Sequence, residues 1–64
     1  MSYNKQQEVL KMKTIVMNTL AKVNKDSTLD EIKAVMKAEC AKVTFKITDS
    51  DWNNMLTEVL YELM

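Results

Sequence analysis

The candidate nucleophiles in this sequence are Cys40 and several serines, threonines and lysines, but no histidine is present to act as their base. Cys40 is the only cysteine, and the chain has no histidine. Zinc sites usually depend on histidine as a ligand, and thiol or hydroxyl nucleophiles usually depend on it as the neighbouring base. We therefore expect no catalytic residue, no metal site and no cofactor, and we predict that the protein is not an enzyme.

Cys40 itself is expected to be structural. A disulfide within one chain requires two cysteines, so Cys40 cannot form one. On a helical wheel it shares a face with Leu29 and Met36, and a free cysteine in such a place usually behaves as a small buried hydrophobe. We predict a core position for Cys40.

Charge is distributed unevenly, although nine lysines balance nine acids. Residues 1–25 contain five lysines and one acid, whereas residues 49–64 contain four acids and no lysine. One explanation is that a basic first helix and an acidic third helix of the same chain, or of a dimer mate, attract each other. The other is a docking surface, because single surface ion pairs contribute only about 0–1 kcal/mol but uneven charge steers encounters with charged partners.

The chain contains neither glycine nor proline, the residues that most often break helices. Apolar residues at three- and four-residue spacing predict three helices, and the fold class is therefore all-α, a small three-helix bundle formed by residues 1–64 as one domain. The first helix is predicted at about residues 4–24, with Asn24 in the left-handed conformation that glycine usually supplies at a helix end.

The second and third helices have clear start signals. Ser27 or Thr28 is the predicted N-cap of the second helix, and Thr48 or Ser50 that of the third. Between them, residues 43–47 alternate apolar and polar side chains and could form a short extended segment. We interpret this segment as a connector that places Phe45 and Ile47 in the core, with an intermolecular strand pair as the alternative.

Each predicted helix has one apolar face, and these faces define the expected core. The predicted core residues are Val9, Met12, Val16, Leu20 and Val23 in the first helix, broadened by Leu10, Ile15 and Met17; Leu29, Ile32, Met36, Cys40 and Val43 in the second; and Trp52, Met55, Leu56, Val59, Leu60 and Leu63 in the third. Glu39 lies near the apolar side of the second helix. It is expected either at the edge of that face or paired with a lysine of a partner chain.

The order of the elements is also that of many trihelical DNA-binding domains, in which the third helix reads the DNA. Such a helix needs basic and polar residues near its N-terminus. Here it carries Asp49, Asp51 and Glu58, and the chain has no arginine. We do not expect nucleic-acid binding, unless it uses the lysine face of the first helix.

The apolar content suggests contact with other chains. Four methionines and Trp52 on the three faces exceed what a minimal core can hide, and methionine is common on adaptable protein-binding surfaces. We therefore expect a homo-oligomer, most simply a homodimer.

No apolar run is long enough to cross a membrane and the N-terminal residues are too polar for a signal peptide, so we expect no membrane association and a cytoplasmic location.

These features predict a small protein-binding regulator or inhibitor that covers a surface of another protein, one that could carry a basic patch. The predicted partner-binding residues are Asp51, Glu58, Tyr61 and Glu62. Small chains of this kind are frequent among inhibitors encoded by viruses or mobile elements. No residue of this sequence indicates such an origin. The alternatives are a nucleic-acid-binding transcriptional regulator and a structural subunit of a larger complex.

Overall fold

The computed structural model describes residues 5–64, and three-quarters of these residues are helical. Helix α1 spans Lys5–Lys22, α2 spans Leu29–Cys40 and α3 spans Asp49–Leu63. The helices pack against one another, which confirms the prediction of an all-α three-helix bundle. The predicted start of the first helix, at about residue 4, lies outside the described residues.

Helix α1 is the centre of the bundle. Helices α2 and α3 each pack mainly on α1 and touch each other little. Every helix contributes two hydrophobic side chains to the buried core, so the core closes only when all three are in place. These side chains are Ile15 and Val16 of α1, Ile32 and Met36 of α2, and Met55 and Val59 of α3.

Helices α2 and α3 begin in the same way, with a threonine cap. The hydroxyl oxygen of Thr28 accepts a hydrogen bond from the backbone N–H of Glu31 at 3.2 Å, and that of Thr48 accepts one from Asp51 at 3.1 Å. In each case the threonine, rather than the neighbouring serine, is the N-cap. Acids in the first turn of both helices add a favourable interaction with the positive end of the helix dipole.

The turn between α1 and α2 is closed by side chains instead of by a left-handed residue. No residue from 5 to 64 has a positive φ, so the conformation predicted for Asn24 is wrong. Its Oδ1 instead accepts a hydrogen bond from the backbone N–H of Asp26 at 2.8 Å, while its own N–H donates to Ser27 Oγ at 3.1 Å. An asparagine side chain can mimic a backbone turn, which explains how a chain without glycine reverses direction here.

The connector between α2 and α3 contains no strand within the described chain, and residues 43–47 form a loop. Val43 and Ile47 both pack against the core, as expected. Phe45 is half-buried but lies outside the core cluster, so its predicted core position is wrong.

The buried face of α1 is rotated from the predicted one. Leu10 and Met17, which were expected to broaden the core, are 61% and 68% exposed. Thr19 is instead fully buried, and its hydroxyl donates to the backbone oxygen of Ile15 at 2.8 Å. This hydrogen bond satisfies the only polar group of the Thr19 side chain, which allows it to lie in an apolar core.

Two further positions at the margins of the core are more exposed than expected. Val9, in the second turn of α1, is 43% exposed, and Leu29, at the start of α2, is 47% exposed. Both lie near an end of their helix, where fewer neighbours remain to cover them.

Candidate functional site

The predicted partner-binding residues lie on α3, and three of them form one edge of that helix. Asp51 and Glu58 are two turns apart and line the same groove of about 190 Å³ between α1 and α3, which Lys13 also lines. Glu62 lies one turn beyond Glu58 on the same side. We refer to Asp51, Glu58 and Glu62 as the acidic edge.

Tyr61 lies next to the acidic edge on the outer side of α3. It is 72% exposed, so its ring is available to another molecule. A tyrosine offers a large rigid apolar ring with a polar tip, and such residues are enriched among those that dominate binding energy at interfaces. The structure thus brings all four predicted residues to adjoining faces of one helix.

The acidic edge has no lysine partner among residues 5–64, because both ion pairs in that range belong to Glu39. Helices α1 and α3 do lie side by side, yet their charges do not pair. Lys22 of α1 binds Glu39 of α2 instead. Lys13 lines the groove beside Asp51 and Glu58 but forms no ion pair with either of them.

The position of Glu62 along α3 also works against the helix. The C-terminal end of a helix carries the negative end of its dipole, where cations are favourable and anions are not. Glu62 lies in the last turn of α3 and Glu58 one turn earlier, and the last turn has no basic residue. The carboxylate of Glu62 consequently weakens the helix that carries it.

A second polar cluster, which was not recognised in the sequence, is centred on Glu39 near the end of α2. The Glu39 side chain is only 2% exposed. Its Oε1 accepts a hydrogen bond from Asn18 Nδ2 at 3.1 Å, and its Oε2 accepts from Lys22 Nζ at 2.8 Å and Lys42 Nζ at 3.0 Å. We refer to these four residues as the Glu39 cluster.

The expectations for Glu39 are corrected by this geometry. It is buried rather than at the edge of a face, and its lysine partners belong to its own chain. The hydrogen bonds from Lys22 and then Lys42 lower the pKa of Glu39 from 4.5 to about 2, although burial acts in the opposite direction. The spacing of these residues could have indicated the cluster, since Asn18 and Lys22 are one helical turn apart and Lys42 follows Glu39 by three residues.

The Glu39 cluster is structural rather than catalytic. It joins α1 to α2, and every buried side-chain nitrogen and oxygen in the described chain has a hydrogen-bond partner. A carboxylate held by three donors has neither the raised pKa of a general acid nor a free oxygen aimed at a substrate.

Cys40 is half-buried and packs against the core, where it borders a groove lined also by Ile47 and Trp52. Burial, and secondarily the negative charge of Glu39, raise the pKa of the Cys40 thiol above 9.0. Since the thiolate is the reactive form, this environment makes Cys40 a poor nucleophile.

Residues 5–64 also contain no group of three or more cysteine or acidic side chains arranged to hold a metal ion.

Comparison of the chain with protein-family models, with characterised proteins and with solved structures gives no match. In the part of the chain that the structure describes, no helix combines the length and the apolar character needed to cross a membrane.

Proposed function

We propose that this protein is a small non-enzymatic regulator or inhibitor that binds another protein and covers part of its surface with α3. The observation that supports this proposal is the acidic edge, which has no counter-ion among residues 5–64, beside Tyr61, which is 72% exposed. Three aligned carboxylates without an internal ion pair, one of them at the unfavourable end of the helix dipole, suit a partner of opposite charge.

The charge of α3 specifies the kind of partner. Three aligned carboxylates complement a basic surface, and such complementarity raises the rate of association and fixes the orientation of the complex. A basic surface that normally receives phosphate groups, such as the nucleic-acid-binding face of an enzyme, fits this description. Binding there would exclude the nucleic acid and so inhibit the partner.

The structure also bears on the nucleic-acid-binding alternative. Helix α3 occupies the place of a recognition helix but carries four acids and no lysine. Of the lysines on the polar side of α1, Lys22 is bound to Glu39. Helix α3 therefore lacks the cations that phosphate contacts require, whereas Lys11 and Lys13 of α1 are exposed. The homodimer and the cytoplasmic location inferred from the sequence stay predictions.

The proposal is tested by reversing two charges of the acidic edge, in the variant Glu58→Lys/Glu62→Lys. The matched control is Asp26→Lys/Glu31→Lys, which changes the net charge equally at exposed positions outside α3. Each protein is tagged and incubated with lysate of its source cells, and captured proteins are identified by mass spectrometry. We expect the wild type and the control to capture the same basic protein and the α3 variant to lose it.

Binding of the purified partner then measures the electrostatic contribution directly. We expect the association rate of the α3 variant to fall by about tenfold or more at low salt, and the difference to shrink as salt rises. Tyr61→Ala should weaken the complex mainly by faster dissociation. Unchanged capture by the α3 variant, or salt-sensitive retention of the wild type on DNA, would contradict the proposal.

A further inference from the structure

Helix α1 has a second apolar stripe, which faces solvent on the side opposite the core. Its residues recur at steps of four, three and four, so they form one line along the helix. All four are exposed, and the two large ones, Leu10 and Met17, are 61% and 68% exposed. We refer to Leu10, Thr14, Met17 and Ala21 as the outer stripe.

The two large residues of the outer stripe, Leu10 and Met17, lie outside the core cluster, and only Thr14 borders a groove shared with the end of α2. The spacing of the stripe residues is that of a coiled-coil seam, in which one helix packs along another. Such a stripe is a place where a further helix would bury apolar surface.

Thr14, the polar member of the stripe, already has its hydroxyl hydrogen-bonded within α1. Its hydroxyl donates to the backbone oxygen of Leu10 at 3.1 Å. A docked helix would therefore cover the Thr14 side chain without leaving its hydroxyl unpaired, which removes the usual cost of burying a polar group. The stripe thus behaves as an apolar surface along its whole length.

One flank of the outer stripe is basic. Lys11 and Lys42 line a groove of about 280 Å³ that Thr14 borders as well. Lys42 is held in place by Glu39 and is still 66% exposed. Lys11 forms no ion pair within residues 5–64. On the other flank, Lys13 shares its groove with Asp51 and Glu58, so positive charge predominates only on the Lys11 side.

Outside α1, no helix face within residues 5–64 carries two large exposed apolar side chains seven residues apart, as Leu10 and Met17 are. A second copy of α1 would bring Lys11 and its neighbouring lysines against an equally basic helix. The outer face of α3 is formed by Ser50, Asn54, Thr57 and Tyr61, which offer no apolar line. The exposed side of α2 is mixed in charge, with Asp30 and Glu31 beside Lys33 and Lys37, and Leu29 is its only large exposed apolar residue.

We propose that the outer stripe is a docking site for an amphipathic helix of another protein. The apolar ridge of that helix would pack on Leu10 and Met17, and acidic residues on one of its flanks would meet Lys11 and Lys42. This is helix-on-helix recognition, in which apolar anchors give affinity and the charged flank sets orientation. The site is separate from the acidic edge, so the protein could bridge two partners of opposite charge.

The probes are three synthetic peptides of about three heptads each, labelled for fluorescence anisotropy. The first has leucine along its ridge and glutamate on its flanks, the second replaces the glutamates by lysine, and the third replaces the leucines by serine. We expect only the first peptide to bind. Amide shifts in a nuclear magnetic resonance titration should fall mainly on the outer stripe and beside Lys11 and Lys42.

The matching protein variants are Leu10→Gln/Met17→Gln and, as control, Tyr61→Gln/Met64→Gln. Both pairs replace exposed apolar side chains, so the wild type and the two variants should melt alike. We expect the outer-stripe variant to bind the first peptide about tenfold or more weakly and the control to bind as the wild type does. Glu58→Lys/Glu62→Lys should also bind it normally, which separates this site from the proposed function of α3.

Several results would overturn the inference. Equal binding of the first and third peptides would show that charge alone is recognised, and failure of the first peptide to bind would remove the site. A wild-type dimer that becomes monomeric in the outer-stripe variant, measured by sedimentation, would assign the stripe to a second copy. Retention on phosphatidylserine vesicles that requires Leu10 and Met17 would assign it to an anionic lipid surface.

Discussion

Lys22 Nζ lies 2.8 Å from Glu39 Oε2, and this ion pair joins α1 to α2 at a carboxylate that is almost completely buried. Removing a carboxylate from water is costly unless charged and hydrogen-bonding groups replace its hydration. Lys22, Lys42 and Asn18 provide that replacement. The Glu39 cluster is therefore a condition for α2 to dock in its observed position.

The first prediction concerns the pH dependence of stability. The pKa of Glu39 is about 2 in the folded protein against an ordinary value of 4.5, so the folded state binds this proton less tightly than the unfolded state. Its contribution is present above about pH 4.5 and is lost as the pH falls toward 2. Glu39→Gln should lower the melting temperature at pH 7 and flatten its acid dependence, as followed by circular dichroism.

The control for this prediction is Glu31→Gln, because Glu31 lies on the same helix but is exposed. We expect it to retain the acid dependence of the wild type. A Glu39→Gln variant that melts like the wild type at every pH would show that the cluster does not stabilise the docking of α2.

The second prediction compares two methionines of different burial. Met36 is fully buried in the core, whereas Met17 is 68% exposed. Met36→Ala should lower the free energy of unfolding by about 2–5 kcal/mol, and Met17→Ala should change it by less than about 0.5 kcal/mol. Because domains of this size seldom exceed about 3–5 kcal/mol in total, the first variant should be largely unfolded in a thermal or urea melt.

This pair also shows what the sequence could not decide. Periodicity correctly predicted three helices, and threonine caps marked two of their starts. Helix α1, however, has apolar residues on two sides, and a helical wheel does not show which side meets α2 and α3. Thr19 was missed because its burial depends on a hydrogen bond to Ile15, and Met17 was assigned to the core because its exposure depends on the packing of the whole bundle.

For the candidate site, too, one part could be predicted from the sequence and another part could not. The alignment of Asp51, Glu58 and Glu62 follows from their spacing along one helix, so the sequence was sufficient to predict it. The pairing of Lys22 with Glu39, and the lack of an ion pair between Lys13 and the acids of its groove, were not predictable. Long-range pairs of this kind are set by the angles and rotations of packed helices, which a single sequence does not specify.

The third prediction concerns the reactivity of Cys40. Burial and the charge of Glu39 raise the pKa of its thiol, so the thiolate is scarce at neutral pH. We expect alkylation by iodoacetamide to be slower than that of a small free thiol at pH 7, and to accelerate at a higher pH than usual. Glu39→Gln removes the second cause and should move the profile to lower pH. Reaction as fast as that of the free thiol would contradict this reading.

The fourth prediction concerns the start of α3. Thr48→Ala removes the hydroxyl that accepts a hydrogen bond from the N–H of Asp51, and it should lower the free energy of unfolding by about 0.5–2 kcal/mol. Thr48→Ser retains an oxygen at this place and should cost less. The control is Thr57→Ala, an exposed threonine in the middle of the same helix. Equal melting temperatures for both alanine variants would show that the cap contributes little.

The last prediction separates folding from binding on α3. Glu62→Lys replaces an anion by a cation at the negative end of the helix dipole, whereas Asp51→Lys makes the same change near the positive end. The first should raise the free energy of unfolding by about 0.3–1 kcal/mol and the second should lower it by a similar amount, in urea melts at low salt.

Opposite signs would show that the Glu62 carboxylate opposes the stability of the helix that carries it. Because no lysine in residues 5–64 pairs with that carboxylate, its reversal breaks no ion pair there. A loss of stability on Glu62→Lys would instead reveal an internal role and weaken the case for docking. A gain, together with loss of the partner, would mean that Glu62 contributes to binding at some cost to the fold.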